Sequence, residues 1–171
     1  MSLRKILILS LILLIFIVPF VQLSIGFYYV DYIELCPLQP DIALIMAMGG
    51  VFLAIFFAAA IGFIYSITPP KFKTNKKLTA AQLSAKGSNR SIQLLIGAIM
   101  CIFGTCAFIF IILLNTRIYG NLKKFQSKSP KESTYCLYTI FSSAFGLMIA
   151  TYVAFALLFV VAGILLFGIG L

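Results

Sequence analysis

The chain alternates between four long apolar runs and short polar segments. The apolar runs cover residues 6–30, 42–67, 92–114 and 137–162, and none of them contains a charged residue. At about 1.5 Å per helical residue, each is long enough to cross a hydrocarbon core of about 30 Å. The pattern therefore predicts an all-α integral membrane four-helix bundle, a tetraspan, that forms one domain over residues 1–171. The uncharged sequence continues to Leu171, and we expect it to tilt, to leave the membrane, or to bend at Gly163 or Gly168.

Composition and charge agree with a membrane protein. Apolar residues make up 63% of the chain and charged residues only 10%, against about 25% charged residues in ordinary soluble domains. The net charge is +9, which can indicate nucleic acid or an anionic membrane surface. The basic residues lie in short segments between apolar runs, so we predict membrane lipids as partners and no nucleic acid.

The first run has an alternative interpretation as a cleaved signal peptide. Arg4 and Lys5 would be its basic start, and residues 24–26 would offer a cleavage site. The run is longer than the apolar stretch of about 7–15 residues in such peptides, which favours an uncleaved helix. Pro19 is expected to kink this helix, because proline lacks the N–H that an α-helix uses.

Orientation is predicted from the distribution of lysine and arginine. The amino end and residues 68–91 carry eight of them, whereas the other two loops carry five, all in the second. The charged residues of the first loop are all acidic: Asp31, Glu34 and Asp41. Because basic loops stay on the cytosolic side, we expect both termini to lie in the cytosol. We expect the protein itself in the plasma membrane or a membrane of the secretory pathway.

Two cysteines fall in loops that this topology places on the same outer side. Cys36 follows the first run and Cys136 precedes the fourth. The outer side is oxidising in these compartments, which favours a disulfide bond between them, and the alternative is two free cysteines at the membrane boundary. Cys101 and Cys106 lie within the third run and are interpreted as small packing residues.

Small residues recur at steps of three or four in the second and fourth runs. Such faces allow transmembrane helices to approach closely, although alanine and glycine are also simply common in membrane helices. The predicted helix-packing residues are Ala43, Ala47, Gly50, Ala54, Ala58, Gly62, Gly146, Ala150 and Ala154.

The segment before the third run is strongly basic. It could contact anionic lipid, at about 1 kcal/mol per basic residue near the surface, or its charges could serve only to set the topology. The candidate lipid-contact residues are Lys71, Lys73, Lys76, Lys77, Lys86 and Arg90. Residues 78–85 could form a short surface helix within this segment.

The sequence offers no candidate catalytic or metal-binding residues. It contains no histidine and only four carboxylates, none inside an apolar run, so the usual general base and the commonest metal ligand are missing. We therefore predict no enzyme activity and no cofactor. The strongly polar residues at the depth or edge of a run, Gln22, Gln93 and Asn115, are interpreted as packing or interface residues.

The first loop and its flanks resemble a known family. The shared features are an Ile-Gly at the end of the first run, a tyrosine, a Cys-Pro-x-Gln-Pro motif, glycine in the second run and a cysteine before the last. In this chain they are Ile25-Gly26, Tyr29, Cys36-Pro37-Leu38-Gln39-Pro40, Gly49-Gly50 and Cys136. The sequence thus resembles the transmembrane protein 272-like family of small four-pass proteins. The resemblance supports the four-helix fold and the disulfide, and it implies no activity.

Two functions remain open at this point. The leading hypothesis is an accessory or structural subunit that packs through its small-residue faces against itself or a larger membrane protein. The alternative is a pore-forming or channel subunit in a homo-oligomer, which a polar stripe along one run would favour.

Overall fold

The computed structural model describes residues 3–67, 80–127 and 134–167. These residues form four long helices: α1 (Leu3–Tyr29), α2 (Ile42–Ile67), α3 (Ala80–Asn121) and α4 (Tyr138–Phe167). A short 3-10 helix, Ile33–Leu35, lies between α1 and α2. All four long helices are apolar enough to cross a membrane. The protein is therefore an all-α, multi-pass integral membrane protein, as the sequence predicts.

Helices α1 and α2 cover nearly the same residues as the predicted spans, α4 continues five residues past its predicted end, and α3 is longer at both ends. It begins at Ala80 and continues to Asn121, so it includes most of the predicted surface helix and seven residues assigned to the second outer loop. Within this polar end, the Asn115 side-chain amide donates to the Ile111 carbonyl and the Thr116 hydroxyl donates to the Leu113 carbonyl. Helix α4 runs through Gly163 without a break.

Helix α2 is the central helix of the bundle. About half of its membrane-spanning part is buried among the other helices, but only 6% of that of α3. The buried residues form two clusters, one around the Cys36–Cys136 pair and one around Phe57. We call the corresponding ends of the bundle the disulfide end and the opposite end. Helix α3 contributes one buried residue, Ala107, to the second cluster.

The backbones of α1 and α2 touch at two glycines. A Cβ atom on Gly26 would collide with the backbone of Ala47. A Cβ atom on Gly50 would lie 2.8 Å from the Leu23 nitrogen and 2.9 Å from the Pro19 oxygen. Close approach of this kind is what holds helices together in lipid, because lipid tails are as apolar as leucine.

We predict that Gly26→Ala and Gly50→Ala each lower the midpoint of thermal unfolding. Adding a methyl group against backbone atoms costs about 1–3 kcal/mol, which outweighs the helix propensity that alanine gains over glycine. Gly163→Ala is the matched control, since nothing lies within 4 Å of its Cβ position. Unfolding of the three variants in detergent provides the measurement, and equal midpoints would contradict the close approach.

Candidate functional site

A disulfide bond between Cys36 and Cys136 closes one end of the bundle, which confirms the sequence prediction. Both cysteines are buried. Backbone hydrogen bonds flank the disulfide: Leu137 N–H donates to the Leu35 carbonyl at 2.7 Å, and Leu38 N–H donates to the Tyr135 carbonyl at 3.2 Å. The loop after α1 is thus joined to the residues that precede α4.

Helix α3 is attached to the same end through its last turns. The Arg117 guanidinium donates to the Asp41 carboxylate at 2.7 Å, just before α2 begins. The ring of Phe125 stacks on Phe141 of α4 with centroids 4.4 Å apart. In the sequence, Arg117 is one of five basic residues in the second outer loop. Its ion pair with Asp41 could not be predicted, because the two residues are far apart in the chain.

The small residues of α2 differ in their surroundings along the helix. Ala43, Ala47 and Gly50, near the disulfide end, are buried against α1. Ala54 is half-buried, Ala58 is exposed, and the Cβ position of Gly62 has open space around it. The chain itself therefore covers only the first part of the predicted packing face of α2.

On α4 the order is reversed: the exposed small residues lie nearer the disulfide end, and the buried one lies nearer the opposite end. Ala154 is buried in the cluster around Phe57, and Ala150 is half-buried. Ser142 and Gly146 are exposed, and nothing lies within 4 Å of the Gly146 Cβ position. We call the residues Ser142, Gly146 and Ala150 the α4 small-residue surface.

The three strongly polar residues at the depth or edge of a run, Asn115, Gln93 and Gln22, each contact a neighbouring helix. Asn115 donates to the Tyr152 hydroxyl on α4 at 2.6 Å. Gln93 donates to the Ser66 carbonyl on α2 at 2.9 Å. Gln22 is buried, with its amide nitrogen beside Gly49, but its Oε1 atom has no hydrogen-bond partner among the described residues.

The predicted lipid-contact residues fall in two groups. Lys71, Lys73, Lys76 and Lys77 lie outside the described residues. Lys86 and Arg90 belong to the first part of α3, which precedes its membrane-spanning part Ser91–Asn121.

An open apolar hollow of about 280 Å³ lies between α2 and α3 in the half of the bundle nearer the opposite end. Its lining residues are Ile55, Ala58, Ala59, Gly62, Ile96 and Ile99. The hollow thus includes the part of the α2 small-residue face that the chain leaves uncovered.

Neither a metal centre nor a related protein points to a function. Among the described residues, no three histidine, cysteine or acidic side chains are grouped so that they could hold a metal ion. Comparison with protein-family models, curated proteins and solved structures gave no match.

Replacing Cys36 with serine should remove the difference in gel mobility between reduced and unreduced protein. The disulfide closes a chain loop with a sequence separation of 100 residues, so the unreduced, denatured protein is more compact and migrates faster. Cys101→Ser, at an exposed free cysteine, is the control and should keep the difference. A difference that persists in Cys36→Ser would contradict the pairing.

Gln22→Met should raise the midpoint of thermal unfolding. Methionine has a similar length and removes a buried acceptor without a partner, a group that costs about 1–3 kcal/mol. Gln93→Met is the comparison, because it removes a bonded amide and should lower the midpoint. A lower midpoint for Gln22→Met would show that the Gln22 carbonyl is satisfied in the folded protein.

Proposed function

We propose that this protein is a non-enzymatic accessory or structural subunit of a membrane assembly. It packs against further copies of itself or against a larger membrane protein. We place it in the plasma membrane or a membrane of the secretory pathway, with the disulfide end outward and both termini in the cytosol.

The α4 small-residue surface is the observation that carries this proposal. Ser142, Gly146 and Ala150 follow one another at steps of four, on a helix face that α1, α2 and α3 leave partly open. Small residues at this spacing let a second helix approach closely and gain dispersion contacts that lipid tails supply less well. In contrast, the small residues near the disulfide end of α2 are already occupied by α1.

The proposed orientation is supported by charge and by cysteine chemistry. Asp31 and Glu34 lie at the disulfide end, in a loop without lysine or arginine. Disulfide bonds persist in oxidising compartments, and basic residues favour the cytosolic side. We also propose kinship with the transmembrane protein 272-like family, since the cysteine of the Cys-Pro-x-Gln-Pro motif forms the disulfide that the resemblance implies.

The test is the mass of the intact particle after extraction into nanodiscs directly from the expressing cells. We expect a particle heavier than one chain, and we expect Gly146→Leu to reduce it to one chain, because a leucine side chain would hold the partner helix away. Ala156→Leu is the control: it changes another exposed small residue of α4 and should preserve the assembly.

The possible compositions of the particle differ in meaning. A heavier particle that contains a second protein supports an accessory subunit, and a pair of identical chains supports self-packing. A ring of identical chains that conducts ions would replace the proposal with the pore-forming alternative. A wild-type particle of one chain, or an assembly that survives Gly146→Leu, would contradict the role of the α4 surface.

A further inference from the structure

The hollow between α2 and α3 is held open by contacts on both sides of it along the helices. Toward the disulfide end, Gly104 of α3 lies against the ring of Phe56, where an added Cβ would be 2.9 Å from the ring carbons. Toward the opposite end, Gln93 donates to the Ser66 carbonyl at 2.9 Å. Between these contacts, Ala58, Ala59 and Gly62 are too small to fill the space between the helices.

The lining of the hollow restricts what can occupy it. Every lining residue is isoleucine, alanine or glycine, so the hollow offers no side-chain hydrogen-bonding group. A buried polar group without a partner is costly, and the occupant must therefore be apolar. The hollow is open toward the surroundings of the bundle, which at this depth are hydrocarbon.

Positive charge lies just beyond the hollow, on the same helix. Arg90 directly precedes the membrane-spanning part of α3, and Lys86 lies one turn earlier. Lys86 also precedes Gln93 by seven residues, about two helical turns, so its position is on the same side of α3 as Gln93. Residues 68–91 contain six lysine and arginine residues and no acidic residue.

We propose that the hollow holds one acyl chain of an anionic phospholipid whose phosphate lies beside Lys86 and Arg90. The charge of the flanking helix matches the headgroup, and the apolar lining matches the chain. The sequence predicts only a headgroup contact by the basic segment. The hollow adds a binding site for the acyl chain, and the proposal assigns the headgroup contact to the first part of α3.

The two parts of the site have different roles. A chain that moves from bulk lipid into the hollow leaves one apolar environment for another, so the hollow supplies position and shape rather than a hydrophobic gain. The headgroup supplies the selectivity. We expect the preference for anionic over neutral lipid to fall about fivefold for each basic residue removed.

Native mass spectrometry of the full-length protein can test both parts. The purified protein would be mixed with phosphatidylglycerol and phosphatidylcholine that carry identical acyl chains, and the retained adducts of each would be counted. We expect one phosphatidylglycerol molecule to be retained preferentially. Inorganic phosphate should not displace it, because phosphate lacks the chain.

Three variants distinguish the acyl-chain site in the hollow from the headgroup contact. Gly62→Leu puts a side chain into the hollow at a position where a Cβ atom has open space, and it should abolish the retained adduct. Gly163→Leu, at a glycine of α4 that also has open space around it, should retain it. Lys86→Gln with Arg90→Gln should retain a lipid but lose the preference for phosphatidylglycerol.

Several results would overturn the proposal. An unchanged adduct in Gly62→Leu would show that the acyl chain does not bind in the hollow. An unchanged preference in the double glutamine variant would remove the headgroup assignment, and displacement by inorganic phosphate would show that only an anion is bound. A lower particle mass in Gly62→Leu with unchanged lipid binding would show that a protein helix occupies the hollow.

Discussion

The contact between the backbones of α1 and α2 is the constraint on which the rest of the bundle depends. Gly26 and Gly50 remove the side chains that would separate these helices, and in lipid no hydrophobic force would bring them together otherwise. With α1 fixed on one side, α2 becomes the central helix; α3 packs mainly against α2, and α4 packs mainly against α1. Their attachment is strongest at the disulfide end, where a covalent bond, backbone hydrogen bonds and the Phe125–Phe141 stack coincide. Toward the opposite end α3 is held mainly by α2, which leaves the hollow between them.

Much of the fold could be predicted because its determinants are local. The absence of charge over residues 6–30 and 42–67 is enough to define two membrane helices, and the polar loops define their ends. The disulfide could be predicted because topology alone brings Cys36 and Cys136 to the same side of the membrane. The small-residue face of α2 was also visible, because helical spacing is a property of the sequence.

The rest depended on how the helices cross, which no local pattern records. Helical spacing marks Ala43 and Ala58 as equivalent, yet α1 covers the first and leaves the second exposed. Gly26 was noted only as part of a possible cleavage site and of the Ile-Gly pair in the family resemblance, although a glycine in an apolar helix could have signalled close contact. The extension of α3 was missed because polar residues were assigned to loops, whereas a helix that leaves the membrane can be polar all round.

The disulfide has one more consequence, which concerns the connectivity of the whole molecule. Residues 36 to 136 form a covalently closed ring that contains α2 and α3, while α1 and α4 extend from it as two arms. A single break in the chain between α2 and α3 opens this ring without dividing the protein. The two fragments, each with two membrane helices, stay joined until the disulfide is reduced. Such a nicked molecule keeps all four helices in one covalent unit, so an intact main chain between α2 and α3 is not what holds its halves together.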